Sequence, residues 1–255
     1  RIFLERGTLI FVSHSMQAVL ELCDRAIWIA NGEIFRDEGS KEVVRHYSAF
    51  IHQQINPNNK ICVDIPTSKK PNNDALPEVV SQQTSLTSQL QPHTAAIFAF
   101  DPNMPSWGAG GAEICNIELF DEKGHKLHTI NGGTLITIRV YCRSKQQLVH
   151  PIIGFNIRTQ RGIELISENT SNVCRERLPL LIPPDTEFYA DFRFFLPYLP
   201  AGDYFIGGAI ADCPSVEGHL QHQRRDDALQ VSVLTSHVVF GVFSMPMDGC
   251  SIEVQ

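Results

Sequence analysis

From residue 115 onward, apolar side chains recur at every second position, and this alternation constrains the fold more than any other feature of the sequence. Valine, isoleucine and phenylalanine dominate the alternating runs, which lie at 115–119, 136–142, 153–157, 188–194, 204–210 and 229–233. Because successive side chains of a strand point to opposite faces, each run predicts a strand with one apolar and one polar face. With a further strand expected over 238–243, we count seven or eight strands.

Turn signals separate these runs. They are Lys123-Gly124, Asn131-Gly132-Gly133, Gln160-Arg161-Gly162, Pro183-Pro184-Asp185 and Pro200-Ala201-Gly202-Asp203. Short strands with one apolar face, divided by such turns, are typical of two packed antiparallel sheets. The sequence therefore predicts a mainly β chain whose residues 95–255 form a β-sandwich of the immunoglobulin-like or jelly-roll type.

The beginning of the chain has a different, mixed α/β character. Residues 8–12 (TLIFV) form a short apolar run of the kind found in a strand that is buried on both faces. Ser15 can cap a helix whose apolar positions Met16, Val19, Leu20 and Cys23 recur at helical spacing. This pattern predicts a buried strand followed by a helix that ends near Asp24.

A hairpin and a second helix follow in the pattern. Residues 26–30 and 33–35 are apolar arms joined by the tight-turn dipeptide Asn31-Gly32. A helix is then predicted to open at Gly39-Ser40, with the apolar side chains of Val43, Tyr47, Phe50 and Ile51 on one side. Residues 1–52 are therefore expected to form one α/β fragment.

Residues 53–94 differ from both flanking segments in composition. Five prolines fall in this stretch, together with many asparagine, serine and glutamine residues and little periodicity. This composition predicts a flexible linker between the two parts.

Charge and cysteine usage narrow the functional class. The formal net charge of −7 argues against a nucleic-acid partner, which requires a basic face. The seven cysteines are odd in number and scattered, so they are expected to be reduced thiols of a cytoplasmic protein. No apolar run approaches the roughly 20 residues of a membrane helix, and a chain that begins at Arg1 is expected to be a fragment of a longer protein.

The string GTLIFVSHSMQAVLELCDRAIWIANGEI (7–34) closely resembles the switch-histidine region of ABC transporter ATPases. The resemblance implies that His14 orients the attacking water at the γ-phosphate of ATP in an intact ATPase domain. The chain lacks the G-x-x-x-x-G-K-[ST] phosphate loop, the acidic strand end for magnesium and the signature helix. We therefore expect no cofactor and no ATP hydrolysis for this chain, and ATP with Mg²⁺ for the full-length protein.

The second part resembles the Wzt-type subunit of O-antigen exporters. The strings that carry this resemblance are SWGAGGAEICNIELFDEKG (106–124), IIGFNIRTQRGIEL (152–165), LPAGDYFIGGAI (199–210) and HVVFGVFSM (237–245). It implies a dimeric domain that recognises the finished O-polysaccharide and couples its synthesis to export. The implied partners are the glycan, the transmembrane exporter subunit and a second copy, at the inner face of the cytoplasmic membrane.

Glycan recognition needs aromatic faces and convergent polar groups, and the polar side of the predicted strands supplies both. The candidate residues are Arg139, Tyr141, Arg143, Asn156, Arg158, Tyr189, Asp191 and Arg193. A solvated face with cross-strand charge pairs explains the same pattern. The arginines would also suit an acidic or phosphate-bearing glycan. Trp107 is either a stacking platform in a loop or a plug at the end of the core.

The sequence also leaves a metal site and two other functions to consider. The pairs His125/His128 and His219/His222 offer only two ligands each, so no metal site is expected. The sandwich could instead be a docking module that joins ATPase subunits or a biosynthetic partner without touching glycan. A third reading is the intact ATPase, seen through part of its sequence.

Overall fold

Two sheets that face each other contain ten of the twelve strands in the described part of the chain. The computed structural model describes residues 8–56, 60–64, 99–173, 181–215, 218–234 and 237–252. The smaller sheet has the order β10-β7-β5, and its strands are β5 (Ala112–Phe120), β7 (Leu135–Ser144) and β10 (Glu187–Phe195). All of its pairings are antiparallel.

The larger sheet has seven strands in the order β3-β4-β12-β11-β8-β9, with β6 paired to β12 off this path. Its strands are β3 (Cys62–Asp64), β4 (Ser106–Gly108), β6 (Thr129–Ile130), β8 (Pro151–Thr159), β9 (Glu164–Asn169), β11 (Gly202–Ser215) and β12 (Gly218–Val233). A short helix, α3 (Thr170–Val173), follows β9. Except for the parallel pair β6–β12, the strand pairs of this sheet are antiparallel.

The core lies between the two sheets, as the alternation predicts. Phe155 of β8 packs on Phe192 and Phe194 of β10, with ring centroids 4.9 and 5.5 Å apart. A Cβ atom placed on Gly208 of β11 would lie 3.0 Å from Cδ1 of Ile114 in the smaller sheet. These contacts confirm the predicted antiparallel β-sandwich and the inward side of its strands.

Two details of the strand prediction are wrong. A bulge shifts the register between Ile114 and Asn116, so the side chain of Cys115 is exposed while Ile114 and Ile117 are buried. Residues 238–243 form no strand; beside them, the described backbone makes a single isolated bridge, between Tyr198 and Ser244. Alternation in a sequence makes a strand only where a neighbouring strand supplies the hydrogen bonds.

The helix and hairpin near the start of the chain are confirmed. Helix α1 (Met16–Leu22) is capped by Ser15, whose Oγ accepts a hydrogen bond from the Ala18 amide at 3.4 Å. Strands β1 (Arg25–Ala30) and β2 (Glu33–Gly39) pair as a hairpin. Asn31 and Gly32 have φ values of 52° and 82°, as a two-residue hairpin turn requires.

The strand predicted over 8–12 is not formed. These residues lie outside any strand and are exposed; Val12, for example, is 93% accessible. A strand buried on both faces needs neighbours on each edge and layers on each side. No other strand of the described residues pairs with this segment, and this explains the error.

The second helix, α2 (Ser40–Ile55), continues three residues beyond the predicted end of the first unit at residue 52. Residues 62–64, predicted to belong to the linker, form β3 at the edge of the larger sheet. The remainder of the predicted linker at 57–59 and 65–94 lies outside the described residues.

Helix α2 lies across the outer face of the larger sheet. At its start, Lys41 Nζ contacts Asp227 Oδ2 of β12 at 3.0 Å. Near its end, the ring of His52 packs on Trp107 of β4, with centroids 5.0 Å apart. The α/β region and the sandwich therefore share an interface that covers part of one of the two outer sheet faces.

Candidate functional site

The outer face of the smaller sheet brings together six of the predicted site residues. Strand β7 contributes Arg139, Tyr141 and Arg143, and β10 contributes Tyr189, Asp191 and Arg193. We name this surface the tyrosine–arginine face; it also includes Glu113, Glu118 and Phe120 of β5. The antiparallel register sets Arg139 opposite Asp191 and Tyr141 opposite Tyr189, so these side chains lie close together on one face.

Arg139 is the centre of the tyrosine–arginine face. Its Nε and Nη2 atoms donate to the two carboxylate oxygens of Asp191 at 2.6 and 2.7 Å. Its guanidinium lies 4.1 Å from the centroid of the Tyr189 ring and 5.2 Å from that of Phe120. The bond to Asp191 raises the pKa of Arg139 well above its usual value. Arg139 is therefore a permanently charged group, and it holds the ring of Tyr189 in place.

Tyr141 and Glu118 form a second cluster beside it. The Tyr141 hydroxyl donates to Glu118 Oε2 at 2.9 Å, and Lys126 donates to the other carboxylate oxygen. Burial would raise the pKa of Glu118, but the bonds from Lys126 and Tyr141 outweigh it and lower that pKa. Burial and the bond to Glu118 both raise the pKa of Tyr141. Glu118 is therefore ionised and Tyr141 is a neutral donor near pH 7.

The rim of the face is occupied by exposed ion pairs. Arg143 is bonded to Glu187 and lies 3.7 Å from Glu113, which also accepts from Lys145 at 2.6 Å. Arg193 lies 3.8 Å from Glu122. The described cationic side chains here each have a carboxylate partner, so positive and negative charges balance on this surface. Exposed pairs of this kind add little stability.

Two predicted site residues lie elsewhere and are buried. Asn156 and Arg158 are on β8 of the larger sheet, with exposures of 5% and 7%. Asn156 Oδ1 accepts from the Gly207 amide at 3.1 Å, so this side chain joins two strands. The expectation that these residues share one exposed surface with β7 and β10 is wrong, because β8 belongs to the other sheet, where both side chains are buried.

Arg158 is part of a buried ionic cluster that the sequence did not reveal. Its Nη1 atom lies 3.1 Å from Asp226 and 3.5 Å from Asp227, and its Nε donates to the Gly162 carbonyl at 3.0 Å. Burial would raise the pKa of Asp226, but Arg224 and Arg158 lower it. The one available signal was the sequence Arg224-Arg225-Asp226-Asp227, which is unusually charged for a strand between two others.

Trp107 lies on strand β4 and is only 4% exposed. Its ring contacts His52 of α2. Neither alternative describes it, because Trp107 belongs to a strand and packs under α2, outside the core cluster between the two sheets.

His14 is exposed in the segment before α1, one residue ahead of the cap Ser15. No hydrogen bond or ion pair of this imidazole occurs among the described residues.

The histidine pairs considered as metal ligands do not come together with further ligands. Within the described ranges, no three His, Cys, Asp or Glu side chains are placed to hold one ion. None of the helices in those ranges has the length and apolar character needed to cross a bilayer.

Comparison with known proteins assigns the sandwich to a family. The profile described as "Wzt C-terminal domain" matches residues 103–245, more than half of the chain. This chain belongs to the Wzt C-terminal domain family. The match covers both sheets of the sandwich except β3.

Two curated relatives place the chain beside export ATPases. It is 48% identical over 50 residues to the teichoic acids export ATP-binding protein TagH of Listeria innocua serovar 6a, covering 19% of this chain and 15% of that protein. It is 40% identical over 52 residues to the protein of the same name from Enterococcus faecalis, and this match covers 20% of this chain and 12% of that protein. The chain thus spans only a small part of the length of these relatives.

A solved structure described as "Crystal structure of the C-terminal domain of wzt" shares the fold. Its TM-score is 0.54 at 19% identity, and the match covers 60% of this chain and 92% of that one. At this identity the likeness concerns the fold alone, and it agrees with the β-sandwich described above.

Proposed function

We propose that the sandwich binds an exported polysaccharide through the tyrosine–arginine face, as part of the ATP-binding subunit of an ABC exporter. The observation that carries the proposal is the exposed ring of Tyr189, which is 55% accessible and held against the guanidinium of Arg139. A fixed aromatic ring beside charged hydrogen-bonding groups suits the apolar face and the hydroxyls of a sugar. Membership of the Wzt C-terminal domain family supports the same function.

The charge balance of the face bears on the kind of glycan. Arg139, Arg143 and Arg193 each have a carboxylate partner, so none is a free cation for an anionic ligand. Releasing an arginine from its carboxylate to bind phosphate would leave that carboxylate unpaired. We therefore propose a neutral glycan, such as an O-polysaccharide segment, and not the acidic terminus that the arginines alone suggested.

The role of the α/β region is proposed from its resemblance to ABC ATPases and from the TagH matches. In an intact ATPase domain of this kind, ATP and Mg²⁺ would bind to a phosphate loop, and His14 would orient the attacking water. The chain itself would contribute the helix α2, which lies against the sandwich. Its partners would be a transmembrane exporter subunit and a second copy of the chain, at the cytoplasmic face of the membrane.

The glycan proposal is tested by calorimetric titration of the chain with delipidated polysaccharide from the organism that encodes it. Tyr189→Ala and Arg139→Ala are each expected to weaken binding about tenfold or more, the effect of losing roughly 1.4 kcal/mol. Arg25→Ala is the matched control, because Arg25 forms the same two-bond pair with Asp37, at 2.7 and 2.6 Å, on the β1–β2 hairpin. Equal affinity of all four proteins would refute the face as the site.

A docking function is favoured by one specific observation. The C-terminal segment 237–247 exposes apolar side chains, with Phe240 95%, Val242 63% and Met247 78% accessible. Exposed apolar clusters of this kind mark interaction surfaces. If the sandwich is a dimerisation module, Phe240→Asp will shift the mass measured by light scattering from dimer to monomer. A monomeric wild-type chain would remove this candidate.

A further inference from the structure

A cavity of about 300 Å³ opens on the outer face of the larger sheet, on the opposite side of the sandwich from the tyrosine–arginine face. Strands β8 and β11 form its floor with the small residues Gly154, Ala209 and Ala211, while β9, α3 and the start of β12 form its walls. We name it the amide cavity for three of its polar side chains, Asn156, Asn169 and Gln221. Its volume lies at the lower end of the range for small-molecule sites, which is about 300–1,000 Å³.

Three side chains of the amide cavity are each held by one polar atom and have a second atom without a partner among the described residues. Glu168 Oε1 accepts from the Asn169 amide at 2.9 Å and from Asn172 Nδ2 at 2.8 Å, while no described group donates to Oε2. Asn169 Oδ1 accepts from the Asn172 amide at 3.1 Å, and no acceptor in the described ranges faces its Nδ2. The orientation of both side chains is therefore set before any ligand arrives.

Gln221 shows the same arrangement in a more buried position. Its Nε2 donates to the carbonyls of Ile210 and Gln223 at 2.8 and 2.7 Å, which fixes the amide. The side chain is only 7% exposed, yet within the described residues nothing donates to its Oε1 atom. This atom is not one of the fully buried polar atoms without a partner, so it is open to the cavity and can accept a hydrogen bond from a ligand hydroxyl.

The charges around the cavity exclude an anionic ligand. Arg224 lines it, but Glu164 and Asp226 both pair with its guanidinium. Bonds from Asn169 and Asn172 lower the pKa of Glu168, which is therefore an ionised acceptor near pH 7. A carboxylate oxygen, an amide donor and an amide acceptor together match a neutral ligand with several hydroxyl groups.

The amide cavity also adjoins helix α2. His219 lines the cavity, its carbonyl accepts from Asn56 Nδ2 at 3.5 Å, and its ring lies 5.5 Å from that of His52. His52 in turn packs on Trp107. A ligand in the cavity would therefore contact His219, which packs on α2. The residues of the tyrosine–arginine face make no such contact with α2 among the described residues.

We propose that the amide cavity is a second sugar-binding site, which takes one neutral, hydroxyl-rich residue of the glycan through Glu168, Asn169 and Gln221. The inference rests on the proposed function for the class of ligand, but its geometry is independent of the tyrosine–arginine face. It predicts that the chain contacts glycan on both outer sides of the sandwich.

The test is NMR of the full ¹⁵N-labelled chain during titration with fragments of one or two repeat units from the delipidated polysaccharide. The side-chain amide signal of Asn169, assigned from Asn169→Asp, is expected to shift on titration. Ala209→Phe, which fills the floor of the cavity, should abolish that shift, and Glu168→Gln should weaken the affinity about tenfold. Glu33→Gln, an exposed glutamate of the β1–β2 hairpin, is the matched control.

The outcomes separate the two proposals. Shifts at Asn169 that persist in Tyr189→Ala support the amide cavity, whatever happens at the tyrosine–arginine face. Shifts confined to the tyrosine–arginine face overturn the cavity site and leave the proposed function standing. If no fragment shifts either region, both proposals are refuted. If Ala209→Phe does not fold, the affinity of Glu168→Gln is the test: a loss of about tenfold supports the cavity site, and an unchanged affinity overturns it.

Discussion

The polar residues on the outer faces of the two sheets follow similar sequence patterns but differ in their exposure to solvent. On β7, Arg139, Tyr141 and Arg143 alternate with buried apolar residues, and on β8, Asn156 and Arg158 do the same. The first group stays accessible on the tyrosine–arginine face, whereas in the second Asn156 is buried through its bond to Gly207 and Arg158 is part of a buried ionic cluster. Alternation therefore tells which side of a strand is polar, but not whether that side meets water.

The comparison also shows how a strand can bury paired charges. Where β11 pairs with β12, Ile206 is opposite Leu229 and Gly208 is opposite Arg225, so β12 contains extra residues at this point. Asp227 has a φ of 56° within this bulge. The bulge lets the consecutive residues Asp226 and Asp227 both reach Arg158, which regular alternation would prevent.

The largest effect is expected from the buried cluster on the covered face. Arg158→Leu leaves Asp226 and Asp227 without the guanidinium between them, and should lower the free energy of unfolding by about 3–5 kcal/mol. The matched change on the open face, Arg143→Leu, should cost less than about 1 kcal/mol. Urea denaturation measures both. Equal losses of unfolding free energy in Arg158→Leu and Arg143→Leu would show that the two arginines are equally exposed to solvent.

The next effect concerns the packing of α2 on the larger sheet. Trp107→Ala removes a buried ring beneath His52 and should cost about 3–5 kcal/mol. Phe195→Ala, which truncates a ring that is 62% exposed on the smaller sheet, is the control and should cost little. A small loss for Trp107→Ala in thermal unfolding would show that this ring contributes little to the packing of α2 on the larger sheet.

The covered face should also make stability depend on pH. Burial is the main cause that lowers the pKa of both His46 and His52 on α2 from the ordinary 6.5. The unfolded chain then binds more protons, so stability is complete above pH 6.5 and falls as the pH drops toward the folded-state values. Melting temperatures between pH 8 and 5 measure this trend. The double variant His46→Leu/His52→Leu should reduce the trend but leave a remainder, because burial also lowers the pKa of His222.

A smaller effect is expected from the ion pair that joins the two regions. Lys41→Ala removes the partner of Asp227 at the start of α2, while Arg158 still contacts that carboxylate. The expected cost is about 1–2 kcal/mol. Lys145→Ala, whose pair with Glu113 is exposed, serves as the comparison and should be close to neutral. If Lys145→Ala lowered the denaturant midpoint more than Lys41→Ala, the exposed pair with Glu113 would be the stronger contact.

The smallest effect on stability is expected on the tyrosine–arginine face itself. Tyr189→Ala loses an exposed ring and its contact with Arg139, for less than about 1 kcal/mol. The same substitution should weaken glycan binding markedly, as proposed above. A large loss of stability with unchanged glycan affinity would make Tyr189 a structural residue.

Much of the architecture was predictable because its signals are local. The cap Ser15, the turn Asn31-Gly32 and the alternation of β7 and β10 depend only on neighbours in the chain. Residues 8–12 and 238–243 were mispredicted, since a strand also needs a partner. For the site, the convergence of Arg139, Tyr141, Tyr189 and Asp191 was predictable once β7 and β10 were taken as neighbours.

The sequence by itself determined where most strands and turns lie and which side of each strand is apolar, because these follow from backbone geometry over a few residues. Only the tertiary structure decided that α2 covers part of one polar face and leaves the other open. It also decided that the bulge in β12 gathers Asp226, Asp227 and Arg158, and that the amide cavity forms between β9 and β12. These features depend on contacts between residues far apart in the chain, such as Lys41 with Asp227, and no local pattern encodes them.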